Sequence, residues 1–434
     1  MSQFLRSLLV ALSSGLVLMA QDDQGRSVPN IVVIIIDDAG YADFSMHGSQ
    51  QIKTPRIDSI AENGVRFSNG YVSACVCSPS RAGLLTGRYQ QRFGHESNIP
   101  PRMSETNGLP LEEKTAADRL RDAGYRTIGL GKWHLGYADH FHPLARGFDD
   151  YFGFLQGARP YWALEKPTRL NRLLRDREVI PESFDYLTDE LGRQAALYIE
   201  ENRERPFFMY LSFNAVHTPM HATEADLAGV DIKRDRRKKL VAMTHALDRA
   251  VGYVLDALSA QGLYDDTLLF FINDNGGATN NASRNTPLRG RKGQMFEGGI
   301  RVPFLAQWPA RFGKGQVVDD PVIALDILPT SLEAAGVEPS ADGSLDGTSL
   351  VARLAGGQAQ LPERTLYWRQ REKWAIRQGD WKLVCAAKGQ EEMLFDLAAD
   401  PGEQNDQIAQ ESERATQLRD AHREWASQLA EPRW

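Results

Sequence analysis

Apolar runs and amphipathic stretches alternate along this chain from about residue 28 to residue 335. Runs rich in β-branched and aromatic residues are typical of strands buried on both faces of a parallel sheet. They cover residues 29–38 (the last two being acids), 207–213 and 267–272. Helical periodicity appears between them, over residues 55–62, 113–123, 186–201 and 237–258. This alternation predicts an α/β fold in which a large mixed, mostly parallel sheet is flanked by helices.

The pattern changes after Gly336, where short β-rich pieces are separated by polar turns and followed by one helical stretch. The pieces cover residues 365–368, 374–377, 381–384 and 393–397, and the helix covers 411–429. We therefore predict a small C-terminal antiparallel sheet with one packed helix. The expected division is an N-terminal domain over residues 28–338 and a C-terminal α+β subdomain over residues 339–434.

The N-terminus has the pattern of a secretory signal peptide over residues 1–20. Arg6 precedes an apolar stretch from Leu8 to Met19, and the small residue Ala20 precedes a polar segment. The stretch is short for a bilayer span, so a membrane anchor is the weaker alternative. We expect an exported protein, periplasmic or extracellular, with no stable membrane association.

Composition narrows the class of partner. The chain has 434 residues, of which 42% are hydrophobic, and 57 acids against 50 bases give a net charge of −7. No basic run is present, so we expect no nucleic-acid partner. The three cysteines, Cys75, Cys77 and Cys385, are an odd number, and no disulfide framework is expected.

Acidic and amide side chains follow two of the predicted strands. Asp37 and Asp38 end the first run, and Asp274 and Asn275 come just after the run at 267–272. Ligands of open α/β sheets bind beyond the carboxyl ends of the strands, and clustered carboxylates repel one another unless a hard cation lies among them. Oxygen ligands favour calcium or magnesium over zinc. Each pair taken alone also fits a helix cap or a turn.

The segment around Cys77 favours an anion. Pro79 suits the first turn of a helix, which places Cys77 just before a helix N-terminus, where free N–H groups attract negative charge. Arg81 adds a permanent cation that can bind oxyanions through two N–H groups. The alternative is an ordinary buried thiol with Arg81 on the surface.

Residues 77–81 (C-S-P-S-R) and 85–88 (L-T-G-R) resemble the maturation motif of the type I, formylglycine-dependent sulfatases of the alkaline phosphatase superfamily. Other segments are similar to further sulfatase signatures, and the resemblance runs from about residue 29 to residue 406. These segments are 124–134, 214–219, 288–303, 379–384 and 394–406. The resemblance implies an alkaline phosphatase-like fold, a catalytic role for the domain over 28–338, and hydrolysis of sulfate esters.

The same resemblance implies the cofactors. A formylglycine-generating maturation enzyme would oxidise Cys77 to an aldehyde, whose hydrate attacks the sulfur of the ester. Calcium, in preference to magnesium, would be bound by an oxygen of the converted residue together with Asp37, Asp38, Asp274 and Asn275.

Catalytic roles carry over residue by residue, and Arg81 belongs to the matching motif. Lys132 would contact the converted residue and the sulfate, and Lys292 would reach the sulfate. His217 would donate a proton to the departing alcohol oxygen, and His134 would take the proton whose loss releases sulfate.

The implied substrate is a sulfated carbohydrate, because export and aromatic residues in predicted loops fit sugar binding. Residues 89–96 resemble bacterial polysaccharide sulfatases, which makes Arg92 and His95 candidate substrate contacts along with Lys132, His217 and Lys292. Residues 155–181, including Arg159, Tyr161 and Trp162, have weak periodicity and are predicted as surface loop rather than pocket lining.

Two alternatives remain open at this stage. One is a phosphonate monoester or phosphodiester hydrolase of the same superfamily. The other is a sulfated-glycan-binding pseudoenzyme in which Cys77 is never converted. A binding protein has no use for two proton-transfer histidines, which argues against the second alternative.

Overall fold

The computed structural model describes residues 28–103, 105–338, 344–356 and 360–434. The predicted signal peptide over residues 1–20 lies outside these ranges, and the predicted domain boundary after residue 338 borders a segment that is also outside them. None of the helices within the described ranges is long and apolar enough to cross a membrane.

Strands and helices alternate as the sequence predicts. The strands are β1 (Asn30–Ile36), β2 (Val65–Phe67), β3 (Gly70–Tyr71), β4 (Arg126–Lys132), β5 (Asp150–Phe154), β6 (Leu174–Arg175), β7 (Glu178–Val179), β8 (Phe207–Ser212), β9 (Thr267–Asn273), β10 (Phe304–Gln307), β11 (Gln316–Val318), β12 (Val322–Ile323), β13 (Thr365–Gln370), β14 (Lys373–Gln378), β15 (Trp381–Cys385) and β16 (Met393–Asp396). The helices are α1 (Pro55–Glu62), α2 (Cys77–Thr86), α3 (Ala116–Asp122), α4 (Leu187–Glu201), α5 (Glu224–Ala228), α6 (Asp235–Ala260), α7 (Glu297–Ile300), α8 (Ile327–Ala334), α9 (Val351–Leu354) and α10 (Ser412–Ala426).

Ten strands form one large sheet in the order β11-β2-β10-β9-β1-β8-β4-β5-β6-β7. Its central strands β9, β1, β8, β4 and β5 are parallel to one another. Strand β10 runs antiparallel to β9 and β2, and β6 and β7 form an antiparallel edge. The predicted mixed, mostly parallel sheet is therefore confirmed.

The central strand β1 is apolar throughout because both of its faces are covered. Successive side chains of a strand point to opposite faces. Val33 and Ile35 join the core on one side of the sheet, whereas Val32 and Ile34 join the core on the side of α4 and α6. Burial on both faces explains why this run lacks the alternation of a half-exposed strand.

Local capping explains one boundary that differs from the prediction. Helix α3 begins at Ala116 rather than near Glu113 because Thr115 caps it. The Asp118 N–H donates to Thr115 Oγ1 at 3.1 Å, and the Thr115 N–H donates to Asp118 Oδ2 at 2.9 Å. This reciprocal pair satisfies N–H groups that the helix itself cannot bond.

The C-terminal subdomain is a four-stranded antiparallel sheet, β13-β14-β15-β16, with α10 packed on one face. Leu418 of α10 packs against Ile376 and Leu383 on that face. The opposite face packs on the large domain, where Trp368 contacts Tyr71 and its indole N–H donates to the Val72 carbonyl at 2.6 Å. The predicted small sheet and its helix are both present.

Candidate functional site

The parallel strands bring their carboxyl ends to one edge of the large sheet, and the predicted site residues follow those ends. Asp37 and Asp38 follow β1, and Asp274 and Asn275 follow β9. All four side chains are buried, and we call them the oxygen cluster. Parallel pairing of β1 with β9 makes this meeting a direct consequence of sheet topology.

Three cations compensate the acids of the oxygen cluster. Lys132 Nζ, at the end of β4, lies 2.6 Å from Asp37 Oδ2. Lys292 Nζ lies 2.7 Å from Asp38 Oδ1, and Arg81 donates to Asp274 Oδ2 from both Nε (3.0 Å) and Nη2 (2.8 Å). Although burial opposes the ionisation of Asp37, Lys132 and His217 lower its pKa below the usual value. Asp37 is therefore a carboxylate at neutral pH.

The cations leave part of the oxygen cluster unpaired. Asp38 Oδ2, Asp274 Oδ1 and Asn275 Oδ1 are buried without a hydrogen-bond partner among the described residues. Ligand-capable atoms of Asp37, Asp38, Cys77 and His217 lie within 4.8 Å of one another. Buried acceptors without donors are costly unless a ligand satisfies them, and an oxygen-rich set suits a hard divalent cation. The residues present therefore fit a calcium or magnesium ion.

Cys77 lies at the centre of the site. It is the first residue of α2, one position further into the helix than predicted, and Val76 is the N-cap. Its Sγ lies 3.6 Å from Asp37 Oδ1, and Lys292 Nζ donates to it at 3.2 Å. Burial, reinforced by Asp274, raises the pKa of the Cys77 thiol to about 12, so the unmodified side chain is uncharged at neutral pH.

Arg81 is fully buried, which rules out the alternative of a surface arginine. Besides its two bonds to Asp274, it donates to the Ser212 hydroxyl at the end of β8. The Ser212 hydroxyl in turn donates to the Lys132 carbonyl at 2.7 Å. Arg81 thus ties α2 to the ends of three strands, and it holds the helix N-terminus beside the oxygen cluster.

Lys292 remains positively charged beside Cys77. Burial opposes that charge, but Cys77, Asp38 and Asp37 outweigh it and raise the pKa of Lys292 above its usual value. The loop that carries Lys292 is held to the nucleophile segment, because the Gly293 N–H donates to the Cys75 carbonyl at 2.8 Å.

His134 follows β4 with a left-handed backbone, at a φ of 58°. Burial, followed by Lys132 and Arg81, lowers the pKa of His134 well below the usual value, so the imidazole is neutral at physiological pH. Its Nδ1 has no hydrogen-bond partner in the described part of the chain. A neutral imidazole keeps one unprotonated nitrogen, which is the atom at which a proton can be accepted.

His217 presents one ring nitrogen to the site. Its Nδ1 lies 2.6 Å from the Thr218 carbonyl, which can only accept, so Nδ1 carries the hydrogen. Its Nε2 then lies 3.6 Å from Asp38 Oδ2. The Tyr161 hydroxyl donates to the His217 carbonyl at 2.8 Å and fixes this segment.

Two predicted substrate contacts have partners inside the protein. Arg92 forms an ion pair with Asp346, with Nη2 at 2.6 Å from Oδ1. His95 is fully buried, and its Nε2 lies 2.7 Å from the Ser78 hydroxyl, directly behind Cys77. Burial lowers the pKa of His95 to about 3. Neither side chain points freely into the space in front of the nucleophile.

The prediction of a surface loop over residues 155–181 is wrong for two of its named residues. Tyr161 is fully buried and bonded to the His217 segment. Arg159 is also buried, with Nη2 2.6 Å from Glu182 Oε2. Trp162 is 37% exposed. Packing onto the large domain, which periodicity does not report, accounts for the difference.

Sequence reasoning missed a second group of charged residues beside the site. Lys382 Nζ lies 2.8 Å from Glu297 Oε1 and 3.0 Å from Glu403 Oε1, and all three are buried. We call these residues the interface cluster, because Lys382 and Glu403 belong to the C-terminal subdomain and Glu297 begins α7. The apolar neighbours of Lys382 in β15 were the only sequence signal that its side chain is buried.

Comparison with known families agrees with this geometry. The sequence profile of the Sulfatase family matches residues 29–337, and one described as N-sulphoglucosamine sulphohydrolase, C-terminal, matches residues 291–429. N-acetylgalactosamine-6-sulfatase of Homo sapiens is 32% identical over 390 residues, covering 85% of this chain and 71% of that protein. Arylsulfatase J of Mus musculus is 33% identical over 342 residues, covering 77% of this chain and 57% of that protein.

Solved structures agree as well. The crystal structure of Ps i-CgsB superposes with a TM-score of 0.89 at 34% identity and covers 94% of each chain. The same protein in complex with k-i-k-neocarrahexaose gives a TM-score of 0.89 at 35% identity, again over 94% of each chain. The chain described here belongs to the sulfatase family and is a sulfuric ester hydrolase.

Proposed function

We propose that this sulfatase removes sulfate from a sulfated carbohydrate, with formylglycine formed from Cys77 as its nucleophile and Ca²⁺ as its metal. The observation that carries the proposal is the set of unpaired oxygens of Asp38, Asp274 and Asn275 beside the Cys77 side chain. The carbohydrate class is supported by similarity to Ps i-CgsB, which was crystallised with k-i-k-neocarrahexaose, and to N-acetylgalactosamine-6-sulfatase.

The oxygen cluster and Cys77 define where the ester reacts. A bound cation would neutralise charge on the sulfate oxygens, and the hydrated aldehyde of residue 77 would supply the nucleophilic oxygen. Lys132 and Lys292 would place positive charge beside the sulfate, and each is held by an ion pair with an acid of the oxygen cluster. Preorganised charge of this kind stabilises the charge that develops during sulfuryl transfer.

The two histidines have separate proton tasks. His217, with Nδ1–H bonded to the Thr218 carbonyl, would act as an imidazolium, and its Nε2 proton would pass to the leaving alcohol oxygen as the S–O bond breaks. His134 is neutral and accepts the proton that residue 77 must lose before sulfate is released. Addition of water to the aldehyde would restore the hydrate, so that one cycle would convert ester and water into alcohol and hydrogen sulfate.

We also propose that residues 1–20 direct export, that residues 28–338 form the catalytic domain and that residues 339–434 form the C-terminal subdomain. The first of these is tested by N-terminal sequencing of the secreted protein. A mature N-terminus near residue 21 is expected, and retention of Met1 in the exported protein would contradict it.

Conversion of Cys77 is tested by mass spectrometry of the tryptic peptide covering residues 67–81, after co-expression with a formylglycine-generating enzyme. An aldehyde at residue 77 and an unchanged thiol at Cys75 are the expected result. Cys77→Ala should abolish release of sulfate, and Cys75→Ser, its matched control, should retain both conversion and activity. Activity of the Cys77→Ala protein would refute the mechanism.

The substrate class is tested with a panel of sulfated oligosaccharides and one aryl phosphodiester. Sulfate release from at least one oligosaccharide, faster than hydrolysis of the phosphodiester, is expected. Preference for the phosphodiester would support the phosphonate monoester or phosphodiester hydrolase alternative. An unconverted thiol in the mature host protein, with glycan binding but no turnover, would support the pseudoenzyme.

A further inference from the structure

A cavity of about 440 Å³ lies at the tip of the β13–β14 hairpin in the C-terminal subdomain. It is bounded by residues 370–373 of the hairpin, by Ala387 and Lys388 after β15, and by Ser97 of the large domain. The cavity is thus formed between the two parts of the chain and opens to solvent.

The wall of this cavity touches the segments that hold the reacting groups. Lys373 Nζ donates to the Gly293 carbonyl at 2.9 Å, and Gly293 directly follows Lys292. On the same side, Gln370 Oε1 lies 3.4 Å from the Sγ of Cys75, two residues before Cys77. The cavity therefore shares its wall with the segments that carry Lys292 and Cys77.

The charge of the cavity is positive. Arg371, Lys373 and Lys388 line it, and Glu372 is the one acid among its lining residues. Glu372 forms an ion pair with Lys388, while no ion pair of Arg371 or Lys373 is found in the described part of the chain. Because Lys373 is held by the Gly293 carbonyl, Arg371 is the cation left free, and Lys388 can exchange its exposed partner for an anion that enters from solvent.

Arg371 lies in the β13–β14 turn with a left-handed backbone. Its φ is 57°, a region that favours glycine, and the strain of such a residue is of order 1 kcal/mol. The conformation is held by the buried carboxylate of Glu96, which accepts from the Arg371 N–H at 2.8 Å and also pairs with Arg369. The protein therefore fixes an exposed arginine at a position where glycine would be less costly.

We propose that this cavity binds a second anionic group of the carbohydrate, a sulfate or a carboxylate on a sugar next to the one that loses its sulfate. The inference rests on the proposed carbohydrate substrate and deepens it. It predicts selectivity for oligosaccharides with more than one anionic group, because a guanidinium and an ammonium recognise sulfate and carboxylate alike.

Two variants test the cavity, Arg371→Gly and Lys388→Ser, each alone and combined. Arg371→Gly removes the side chain and suits the observed φ, so the melting temperature should not fall. Lys314→Ser is the matched control, since Lys314 is an exposed lysine in the loop before β11. On an oligosaccharide with several sulfates, the double variant should lose about tenfold in kcat/KM, mainly through KM.

The choice of substrates separates the cavity from the chemistry. Activity on an aryl monosulfate, which has no second anion, should stay within about twofold of wild type for every variant. A disulfated oligosaccharide and a monosulfated one that carries a uronate distinguish sulfate from carboxylate as the second group. Equal loss on the aryl monosulfate, or unchanged KM on all oligosaccharides, would overturn the proposal.

Binding to the Cys77→Ala protein keeps the cavity testable should the proposed turnover fail. Titration with a multiply sulfated carrageenan oligosaccharide should show about tenfold weaker binding when Arg371→Gly and Lys388→Ser are added. Cavity-dependent binding without turnover in the wild type would remove the proposed function and keep the cavity. Binding that does not depend on these two residues would remove the cavity proposal alone.

Discussion

Two buried clusters in this protein combine acids with lysine, and they differ in how completely the protein satisfies the acids. In the interface cluster, Lys382 lies between two glutamates, the Tyr71 hydroxyl donates to Glu297 Oε2 at 2.7 Å, and the Glu297 N–H donates to Glu403 Oε2 at 2.7 Å. In the oxygen cluster, three oxygens have no donor among the described residues. In the first cluster every carboxylate oxygen has a hydrogen bond or, for Glu403 Oε1, the ion pair with Lys382, whereas the second leaves atoms for an external partner.

This difference separates a structural use of buried charge from a chemical one. In the interface cluster burial opposes ionisation of Glu297, but Lys382 and Arg301 lower its pKa to about 2. Burial raises the pKa of Glu403, its neighbour across Lys382. A buried lysine that serves two glutamates is costly to break, because removing it leaves negative charge without compensation. In the oxygen cluster, in contrast, neutralising one acid should cost little stability but should prevent binding of the cation.

The largest expected effect is on activity in the oxygen cluster. Asp38→Asn keeps the shape of the side chain but removes a charge that a cation needs, and sulfate release should fall by about 10³-fold or more. In chelator, the free energy of unfolding should change by less than about 1 kcal/mol.

Thermal unfolding with and without Ca²⁺ tests whether loss of the cation causes the loss of activity in Asp38→Asn. The wild type should gain melting temperature on addition of the ion, since a ligand of the native state stabilises it, and Asp38→Asn should not. A variant that keeps the calcium-dependent gain would show that Asp38 is not a ligand.

The next largest effect is on stability in the interface cluster. Lys382→Met leaves Glu297 and Glu403 buried without their shared cation, and the free energy of unfolding should fall by roughly 3–5 kcal/mol. Urea unfolding measures the loss. The calcium-dependent gain in melting temperature should persist in the folded variant.

A second substitution tests whether the loss of stability in Lys382→Met comes from the buried carboxylates. Adding Glu297→Gln to Lys382→Met removes one of the two carboxylates that lose Lys382 and should recover part of the lost stability. A double variant that is less stable than Lys382→Met alone would show that the carboxylate of Glu297 stabilises the interface by some contact other than Lys382, such as Tyr71.

Acid should also lower the free energy of unfolding through a buried histidine of the C-terminal subdomain, His422 of α10. Its ring stacks on Trp374 with centroids 4.3 Å apart, and burial lowers its pKa to about 4. Because the unfolded chain takes up this proton near pH 6.5 and the folded protein only near pH 4, the stabilisation is present above pH 6.5 and is lost as pH falls towards 4.

The size of this acid effect is up to roughly 3 kcal/mol at pH 4, or about 1.4 kcal/mol for each pH unit. His422→Gln cannot titrate, so its free energy of unfolding should fall less steeply between pH 7 and pH 5 than that of the wild type. Identical slopes for the two proteins would show that other buried histidines, such as His47 and His142, account for the acid sensitivity.

The contrast between the oxygen cluster and the interface cluster also explains which residues could be predicted from the sequence. The acids of the oxygen cluster follow long apolar runs, and parallel strands place their ends at one edge, so Asp37 and Asp274 were found from local pattern alone. The pairing of Lys382 with Glu297 joins positions far apart in the chain, and no periodicity marks either partner.

The sequence also did not show which polar residues are buried by tertiary packing. Arg159 and Tyr161 are in a segment without regular periodicity, yet they contact Glu182 and the His217 segment from within. His95 matched a motif, but its position behind Ser78 depends on the path of the chain after α2. A sequence motif therefore identifies functional residues more reliably than it shows the direction in which their side chains point.

The smallest expected effect tests how tightly the segment after β5 packs on the site. A Cβ at Gly157 would lie 2.5 Å from His134 Nε2, so Gly157→Ala should displace the imidazole and lower kcat about 10- to 100-fold. The oxygen cluster is untouched, and the calcium-dependent gain in melting temperature should remain. Gly229→Ala is the matched control, because no atom lies within 4 Å of its added Cβ. Unchanged kcat in Gly157→Ala would mean that His134 tolerates another position, and its assignment as proton acceptor would then lose its geometric support.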